Sequence, residues 1–206
     1  MTAILKVDTI QDTSGNNIIN ENANTVTIGK SGDTVNVIGT LQNNGSGLVS
    51  GITEADQWRL SALLTGDANP ISSNLERVDS SGFNYIGSGM TESSGVFTFP
   101  STGIYYITWQ FTNRNDSTSS RYSRVDLDVT TNNSTYTGVA YAMTALSYVS
   151  SSTYGGAMGQ YIFDVTDTST HKVRFAVEHA TPASTALVGT TTENYTSFTF
   201  IKLGDT

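Results

Sequence analysis

Downstream of residue 52, short apolar runs alternate with clusters of turn residues along almost the whole chain. Runs of this length, with Gly, Ser, Thr, Asn or Asp between every pair, are typical of antiparallel strands in a two-sheet sandwich. The pattern therefore predicts an all-β domain. The predicted strands are SNLERVD, FNYIG, GVFTFP, GIYYITWQF, YSRVDLDVT, GVAYAMTALSY, GQYIFDV, HKVRFAVEH and TSFTFIKL.

One of these runs shows directly which face of its strand is buried. Side chains alternate between the two faces of a strand, so residues 104–111 divide into two sets. The bulkier set, which we expect to fill the core, is Tyr105, Ile107, Trp109 and Phe111. Other aromatic residues are predicted to pack in the core or on an assembly axis: Tyr85, Phe97, Phe99, Phe163, Phe175, Phe198 and Phe200.

The beginning of the domain has two interpretations. Thr53, with Asp56 three positions later, resembles a helix cap, whereas the strict alternation from Trp58 to Leu64 predicts a strand. We expect one turn followed by a strand.

The first forty residues carry strand-sized runs and a short repeat. Residues 25–28 (TVTI) align with residues 34–37 (TVNV) at a period of nine, which indicates a shaft in which several chains share one apolar interior. A small disordered or edge-paired arm is the alternative. Residues 42–47 (QNNGSG) have the composition of a flexible joint. The predicted organisation is a β-rich stalk with its linker over residues 1–51 and a head over residues 52–206.

Composition and charge exclude several classes of function. Charged residues make up 14% of the chain, the net charge is -8, and cysteine is absent. An acidic chain is a poor partner for nucleic acid, and no apolar run approaches a membrane span, so we expect neither nucleic-acid binding nor membrane insertion. Without cysteine, stability must come from packing and assembly. The N-terminus lacks the pattern of a signal peptide, which predicts synthesis in the cytoplasm.

Candidate chemistry is sparse, and we expect no enzyme activity, no cofactor and no bound metal. His171 and His179 lie eight residues apart on one predicted strand, roughly 26 Å at ~3.3 Å per residue, so they cannot share a metal ion. Asp126 and Asp128 alternate on another strand and could bind calcium. The preferred interpretation is a solvated outer face that Arg121 and Arg124 balance.

The topology of an antiparallel head predicts where a partner would bind. If the stalk enters at the base, three long polar loops lie at the far tip: Thr112 to Arg121, Val149 to Gly156 and Ala180 to Asn194. They are either binding loops or merely solubilising turns. The side chains that we expect to contact a host glycan or protein are Arg114, Asn115, Asp116, Tyr154 and Glu193.

The head resembles the globular domain of complement component one q, a family with the tumour necrosis factor jelly roll. The resemblance covers about residues 56–204. It is strongest around SSGVFTFPSTGIYYITWQF, and WRLSALL and SFTFIKL resemble the family's first and last strands. The positions that match the family's motif are Gly95, Phe97, Phe99, Pro100, Gly103 and Tyr105. This resemblance implies a jelly-roll sandwich that assembles as a homotrimer.

The segment ILKVDTIQDTSGNN is similar to the start of many tail-fibre or structural proteins of marine bacteriophages. This similarity implies a virion protein that is made in the host cytoplasm and contacts other virion proteins through its N-terminal segment. The expected function is a non-enzymatic trimeric fibre or spike whose head attaches to a host receptor or glycan. The alternatives are a purely structural decoration or connector, a secreted bacterial adhesin and a polysaccharide-degrading enzyme.

Overall fold

The computed structural model of the protein describes residues 38, 39, 42, 43, 46, 47 and 51–206. The chain divides into two units between Val49 and Ser50. The predicted stalk strands and the nine-residue repeat lie outside the described residues, and the predicted domain boundary stays a prediction. Within the segment expected to be a flexible joint, residues 42–43 pair antiparallel with residues 46–47.

The described residues form strands and one short 3₁₀ turn at Pro182–Ser184. No helix among them is long and apolar enough to cross a membrane. In chain order the strands are β1 (Gln42–Asn43), β2 (Ser46–Gly47), β3 (Ala55–Leu60), β4 (Leu64–Thr65), β5 (Leu75–Arg77), β6 (Thr91–Ser93), β7 (Val96–Thr98), β8 (Gly103–Asn115), β9 (Ser120–Thr130), β10 (Thr137–Leu146), β11 (Thr153–Val165), β12 (Lys172–His179), β13 (Thr185–Leu187) and β14 (Ser197–Gly204).

From β3 onward the strands form two antiparallel sheets that pack face to face. The larger sheet has the order β4, β13, β8, β14, β3, β5, and β11 pairs with the free side of β8. The smaller sheet has the order β10, β9, β12, β7, β6. Most neighbours in the two sheets are distant in sequence, with β6–β7 and β9–β10 the consecutive pairs, as in a jelly roll rather than a simple meander. The predicted all-β sandwich is therefore confirmed.

The core lies between the two sheets, and the alternation along β8 predicted its contents correctly. Tyr105, Ile107, Trp109 and Phe111 are each buried. The aromatic rings pack tightly across the interior, and the ring centroids of Phe175 and Phe198 are 4.2 Å apart. The predicted core aromatics Phe97, Phe99, Phe163, Phe175, Phe198 and Phe200 are also buried.

Tyr85 does not lie in the core, because it is 40% exposed; its alternative place on an assembly axis stays a prediction. The guanidinium of Arg77 lies 4.7 Å from the Tyr85 ring centroid, so a cation–π contact covers one face of the ring. The predicted strand FNYIG does not form, and only Ile86 makes a bridge, to Ala55. Gly82 and Gly87 both have positive φ and turn the chain at either end of this run, which leaves no length for a ladder.

The first strand also differs from the prediction at both ends. It begins at Ala55 rather than after a turn, and it ends at Leu60 rather than Leu64. The backbone N–H of Ser61 donates to the carbonyl of Asn74, which bends the chain away from the sheet before β4. Alternation therefore identified the strand, and a tertiary hydrogen bond determined its end.

Gly159 permits the closest contact in the core, and its replacement tests the packing. A Cβ at this position would lie 2.2 Å from Cζ2 of Trp109. We expect Gly159→Ala to lower the free energy of unfolding by about 1–3 kcal/mol, because the indole must leave its preferred position. Urea unfolding measures the change. The control is Gly204→Ala, where a Cβ meets nothing within 4 Å; equal losses in both variants would contradict this account of the core.

Candidate functional site

The three long polar loops lie at the same end of the sandwich. Strand β8 ends at Asn115, which pairs with Thr153 of β11 on one side and with Thr185 of β13 on the other. At the opposite end, the backbone N–H of Lys202 donates to the carbonyl of Glu54, 2.9 Å away, close to the start of β3. We call the first end the tip; it comprises the loops at residues 116–119, 147–152 and 180–196.

The strands extend further into these loops than the sequence predicted. Residues 112–115 belong to β8, and residues 153–156 belong to β11. The third loop contains β13, which was not predicted. The exposed part of the tip is consequently smaller and more tightly hydrogen-bonded than three free loops would be.

Two of the candidate residues form an ion pair at the tip. Nη2 of Arg114 lies 2.8 Å from Oδ2 of Asp116, and the hydroxyl of Ser152 donates to Oδ1 of the same carboxylate at 2.6 Å. The bond from Ser152, together with that from Arg114, holds the pKa of Asp116 below its ordinary value. Asp116 thereby joins two loops. Ser152 was not predicted, and nothing in its serine-rich surroundings distinguishes it.

Tyr154 lies beside this ion pair, and Glu193 lies next to Tyr195. Tyr154 faces Arg114 across the β8–β11 ladder and is 57% exposed. Glu193 is exposed and raises the pKa of Tyr195 through a hydrogen bond, and the charge of Tyr154 adds to this rise. The structure therefore brings Arg114, Asp116 and Tyr154 together and places Glu193 nearby through Tyr195.

Asn115 was expected to contact a partner, and this expectation is wrong because its side chain is 0% exposed. Nδ2 of Asn115 donates to Oγ1 of Thr185 at 2.8 Å. Its Oδ1 accepts from the backbone N–H groups of Ser117 and Thr118. Asn115 therefore closes the turn after β8 and ties it to β13, and it shapes the tip from inside.

A buried arginine fixes the third tip loop and was not predicted. Arg59 is 0% exposed, and its Nε lies 2.7 Å from Oε1 of Glu76. The same guanidinium contacts the carboxylate of Asp79 and the backbone carbonyl of Thr191. A planar guanidinium with several fixed donors suits this role. The sequence signal was a charged residue between Trp58 and Leu60, at a position that the pattern itself assigned to a strand.

The predicted acidic pair on β9 lies on the outer face of the smaller sheet. Arg124 pairs with Asp126 as expected, with Nε and Oδ2 3.1 Å apart. Asp128 pairs with Arg174 of β12 instead of Arg121, at 3.0 Å, because β12 is the neighbour of β9 in the sheet. Among the described residues, no group of three or more His, Cys, Asp or Glu is arranged to hold a metal ion.

A serine–histidine contact lies inside the sandwich. Oγ of Ser123 is 2.6 Å from Nδ1 of His179, and both residues are buried. A nucleophile must reach its substrate, and these groups do not reach the surface. Burial also lowers the pKa of His179, although Asp67 acts in the opposite direction. The pair is therefore a structural contact of the core.

Comparison with known proteins at the level of sequence finds no family model and no curated protein that matches. Comparison of structures does find matches. The chain is similar to the crystal structure of murine APRIL at pH 8.5, with 12% identity, a TM-score of 0.51, and coverage of 73% of this chain and 98% of that one. It is also similar to Eiger TNF from S. frugiperda, with 13% identity, a TM-score of 0.53, and coverage of 74% and 93%.

The head has a tumour necrosis factor-like jelly roll. At these identities the similarity concerns the fold alone. It confirms the jelly-roll architecture that the motif around Phe97 to Tyr105 implied. The tip residues have no counterpart assigned by these comparisons, and their role rests on their own geometry.

The buried hydrogen bonds of Asn115 yield a test of the tip architecture. We expect Asn115→Ala to lower the free energy of unfolding by about 1–3 kcal/mol, because buried partners lose their hydrogen bonds. Hydrogen exchange should also accelerate in residues 117 and 118. The control Asp116→Ala removes an exposed carboxylate from the same turn and should change stability by less than about 0.5 kcal/mol. An unchanged Asn115→Ala protein would contradict the structural role.

The lowered pKa of His179 predicts how stability depends on pH. The unfolded chain binds the proton more readily than the folded chain, so this contribution is fully present above the ordinary histidine pKa of about 6.5. It is lost as pH falls from there through the lower folded pKa. Urea unfolding between pH 7.5 and 5 should show this loss, and His179→Asn should flatten the curve. An identical pH profile in both proteins would contradict it.

Proposed function

We propose that the protein is a homotrimeric, non-enzymatic attachment module of a virion fibre or spike, whose tip binds a host receptor or surface glycan. Three features support the proposal: an exposed apolar strip that would be covered by assembly, a set of polar groups at the tip, and the position of the tip at the far end from the start of β3. The jelly-roll fold is common to proteins of many functions, so the surfaces carry the argument.

The proposed trimer rests on exposed apolar residues on the outward face of the larger sheet. Met158 and Ile162 on β11 are 73% and 59% exposed. Ile162 lies opposite Tyr106 of β8, which in turn lies opposite Ile201 of β14, so an apolar row crosses three strands. We call these residues and Met158 the apolar strip. Adjoining exposed apolar side chains of this kind favour an interaction site.

A second copy of the chain is the occupant that the resemblance to the complement family implies, with three chains around one axis. Self-association also fits the charge distribution, because the strip contains no ionised side chain and the net charge of -8 resides elsewhere. Burial of apolar area stabilises such an assembly by about 25 cal/mol per Å².

The position of the tip supports the proposal that it binds a host ligand. The tip lies at the opposite end of the head from Glu54, close to the start of β3. Asp116, Tyr154 and Glu193 provide acceptors and an exposed ring, which suit a polar ligand such as a glycan. Three copies would repeat the site, and weak contacts would add to useful avidity.

The assignment to a virion rests on the N-terminal segment ILKVDTIQDTSGNN and its similarity to bacteriophage fibre proteins. On this proposal the protein is made in the host cytoplasm, and its first residues contact other virion proteins. A structural decoration or connector is the second candidate. The mutual pairing of Arg114, Asp116 and Ser152 favours it, because these groups already satisfy one another.

Assembly is tested by light scattering of the purified protein at micromolar concentration, where we expect a mass three times that of the chain. Met158→Glu should give monomers, because it places a charge in the apolar strip. The matched control is Met143→Glu, an exposed methionine on the smaller sheet, which should remain trimeric. A monomeric unmodified protein would overturn the proposal, as would dissociation of both variants alike.

Attachment is tested by binding of the labelled protein to glycan arrays and to a panel of bacterial cells. The double variant Asp116→Ala, Glu193→Ala should lose binding at least about tenfold, whereas Asp164→Ala, an exposed acid at the other end of β11, should not. Binding should persist at high salt, because an acidic protein gains little from bulk electrostatic attraction. Equal binding by both variants would favour the connector.

A further inference from the structure

The outer face of the smaller sheet contains a groove that the proposed function does not use. It has a volume of about 590 Å³ and runs over β9 between β10 and Asn69. A second depression of about 360 Å³ continues it past Asp67 and Glu178. Both lie on the other sheet from the apolar strip, and the second depression reaches Glu178, close to the start of the tip loop at residues 180–196. Together they offer room for a ligand of two or three sugar rings.

Two carboxylates line the floor of the groove with one oxygen each uncommitted. Oδ2 of Asp126 accepts from Nε of Arg124, and Oδ2 of Asp128 accepts from Nε of Arg174. No side chain or backbone group among the described residues donates to Oδ1 of either aspartate. Asp128 is only 8% exposed, so its free oxygen is fixed in position and largely shielded from bulk water.

A glycine keeps one of these oxygens accessible. Gly138 of β10 lies opposite Asp128, and a Cβ on this glycine would come within 3.3 Å of Oδ1 of Asp128. Any other residue would therefore crowd the carboxylate from the groove side. Asp126 and Asp128 lie two positions apart on one strand face, so their backbone positions are roughly 7 Å apart at ~3.3 Å per residue. Hydroxyl groups on one sugar ring or on adjacent rings span such a separation.

An exposed aromatic ring stands at the rim. Tyr141 of β10 pairs with Asp126 in the ladder and is 61% exposed. The guanidinium of Arg124 lies 5.9 Å from its ring centroid and keeps the ring near the groove. A flat apolar face beside fixed carboxylate acceptors matches the two surfaces of a sugar, whose C–H groups stack while its hydroxyls donate.

The negative charge of the groove disfavours acidic ligands. Four acids line the two depressions, Asp67, Asp126, Asp128 and Glu178, and they outnumber Arg124 in the lining and Arg174, which pairs with Asp128. Burial raises the pKa of Asp126, and the charges of Asp128 and Glu178 add to the rise while Arg124 opposes it. An acidic sugar would meet repulsion here, and the arginines already occupy the positions that a cation would need.

We propose that this groove is a binding site for a neutral saccharide, with Asp126 and Asp128 as hydroxyl acceptors and Tyr141 as the stacking platform. The site is separate from the tip, so the head would bind glycans along its side as well as at its end. The proposal does not depend on the receptor function of the tip.

The test uses the full-length protein in its native assembly and three probes: lactose, cellobiose and sialyllactose. Saturation-transfer NMR detects binding, and isothermal titration calorimetry gives the affinity. We expect at least one neutral disaccharide to bind, and sialyllactose to bind at least about tenfold more weakly than that sugar. Absence of binding by both neutral probes at 10 mM ligand, or equal binding of sialyllactose, would overturn the proposal.

Two variants locate the site, and one matched control accompanies them. Tyr141→Ala removes the platform, and Gly138→Ala covers Oδ1 of Asp128; each should weaken binding at least about fivefold. Met143→Ala changes an exposed side chain two positions along β10 and outside the groove, and it should bind normally. Loss of binding in the Asp116→Ala, Glu193→Ala tip variant, with Tyr141→Ala unaffected, would overturn the proposal without affecting attachment through the tip.

Discussion

The strict alternation of side chains along β8 is the constraint on which the rest of the head depends. This strand is paired along its whole length with β11 and, on its other side, with β14 and β13, so it cannot rotate. Its inward side chains fill the core with aromatic rings. Its outward side chains contribute to the apolar strip, and its last residues, Arg114 and Asn115, organise the tip. A shift of one residue would expose the core and bury the ion pair.

The sequence predicted what alternation and turn residues determine. It identified the sandwich, the long strands and the inward set from Tyr105 to Phe111, because period-two patterning reports directly on burial. It missed the short strands β6 and β13, which lie in segments rich in Ser and Thr that were assigned to turns and loops. It assigned Asn115 to the surface, because a polar residue before a turn gives no indication that its amide will be enclosed by two loops.

The position of the three polar loops could be predicted from the sequence, but the contacts of their side chains could be predicted only in part. Antiparallel topology placed the three polar loops at one end, and Arg114, Asp116 and Tyr154 do lie together there. The contacts of Arg59 with residues 76, 79 and 191 could not be inferred, because they join segments up to 132 positions apart. The pairing of Asp128 with Arg174 could not be inferred either, because β12, the neighbour of β9 in the sheet, lies more than forty residues downstream.

The adjacency of Glu54 and Lys202 has a practical consequence for engineering. A domain whose first and last strands meet through a backbone hydrogen bond can be inserted into a surface loop of an unrelated host protein with short connectors on both sides. Fusion partners, fluorescent reporters or an artificial trimerisation coil would then sit at the base. The tip would stay unobstructed, and the head could serve as a portable display scaffold.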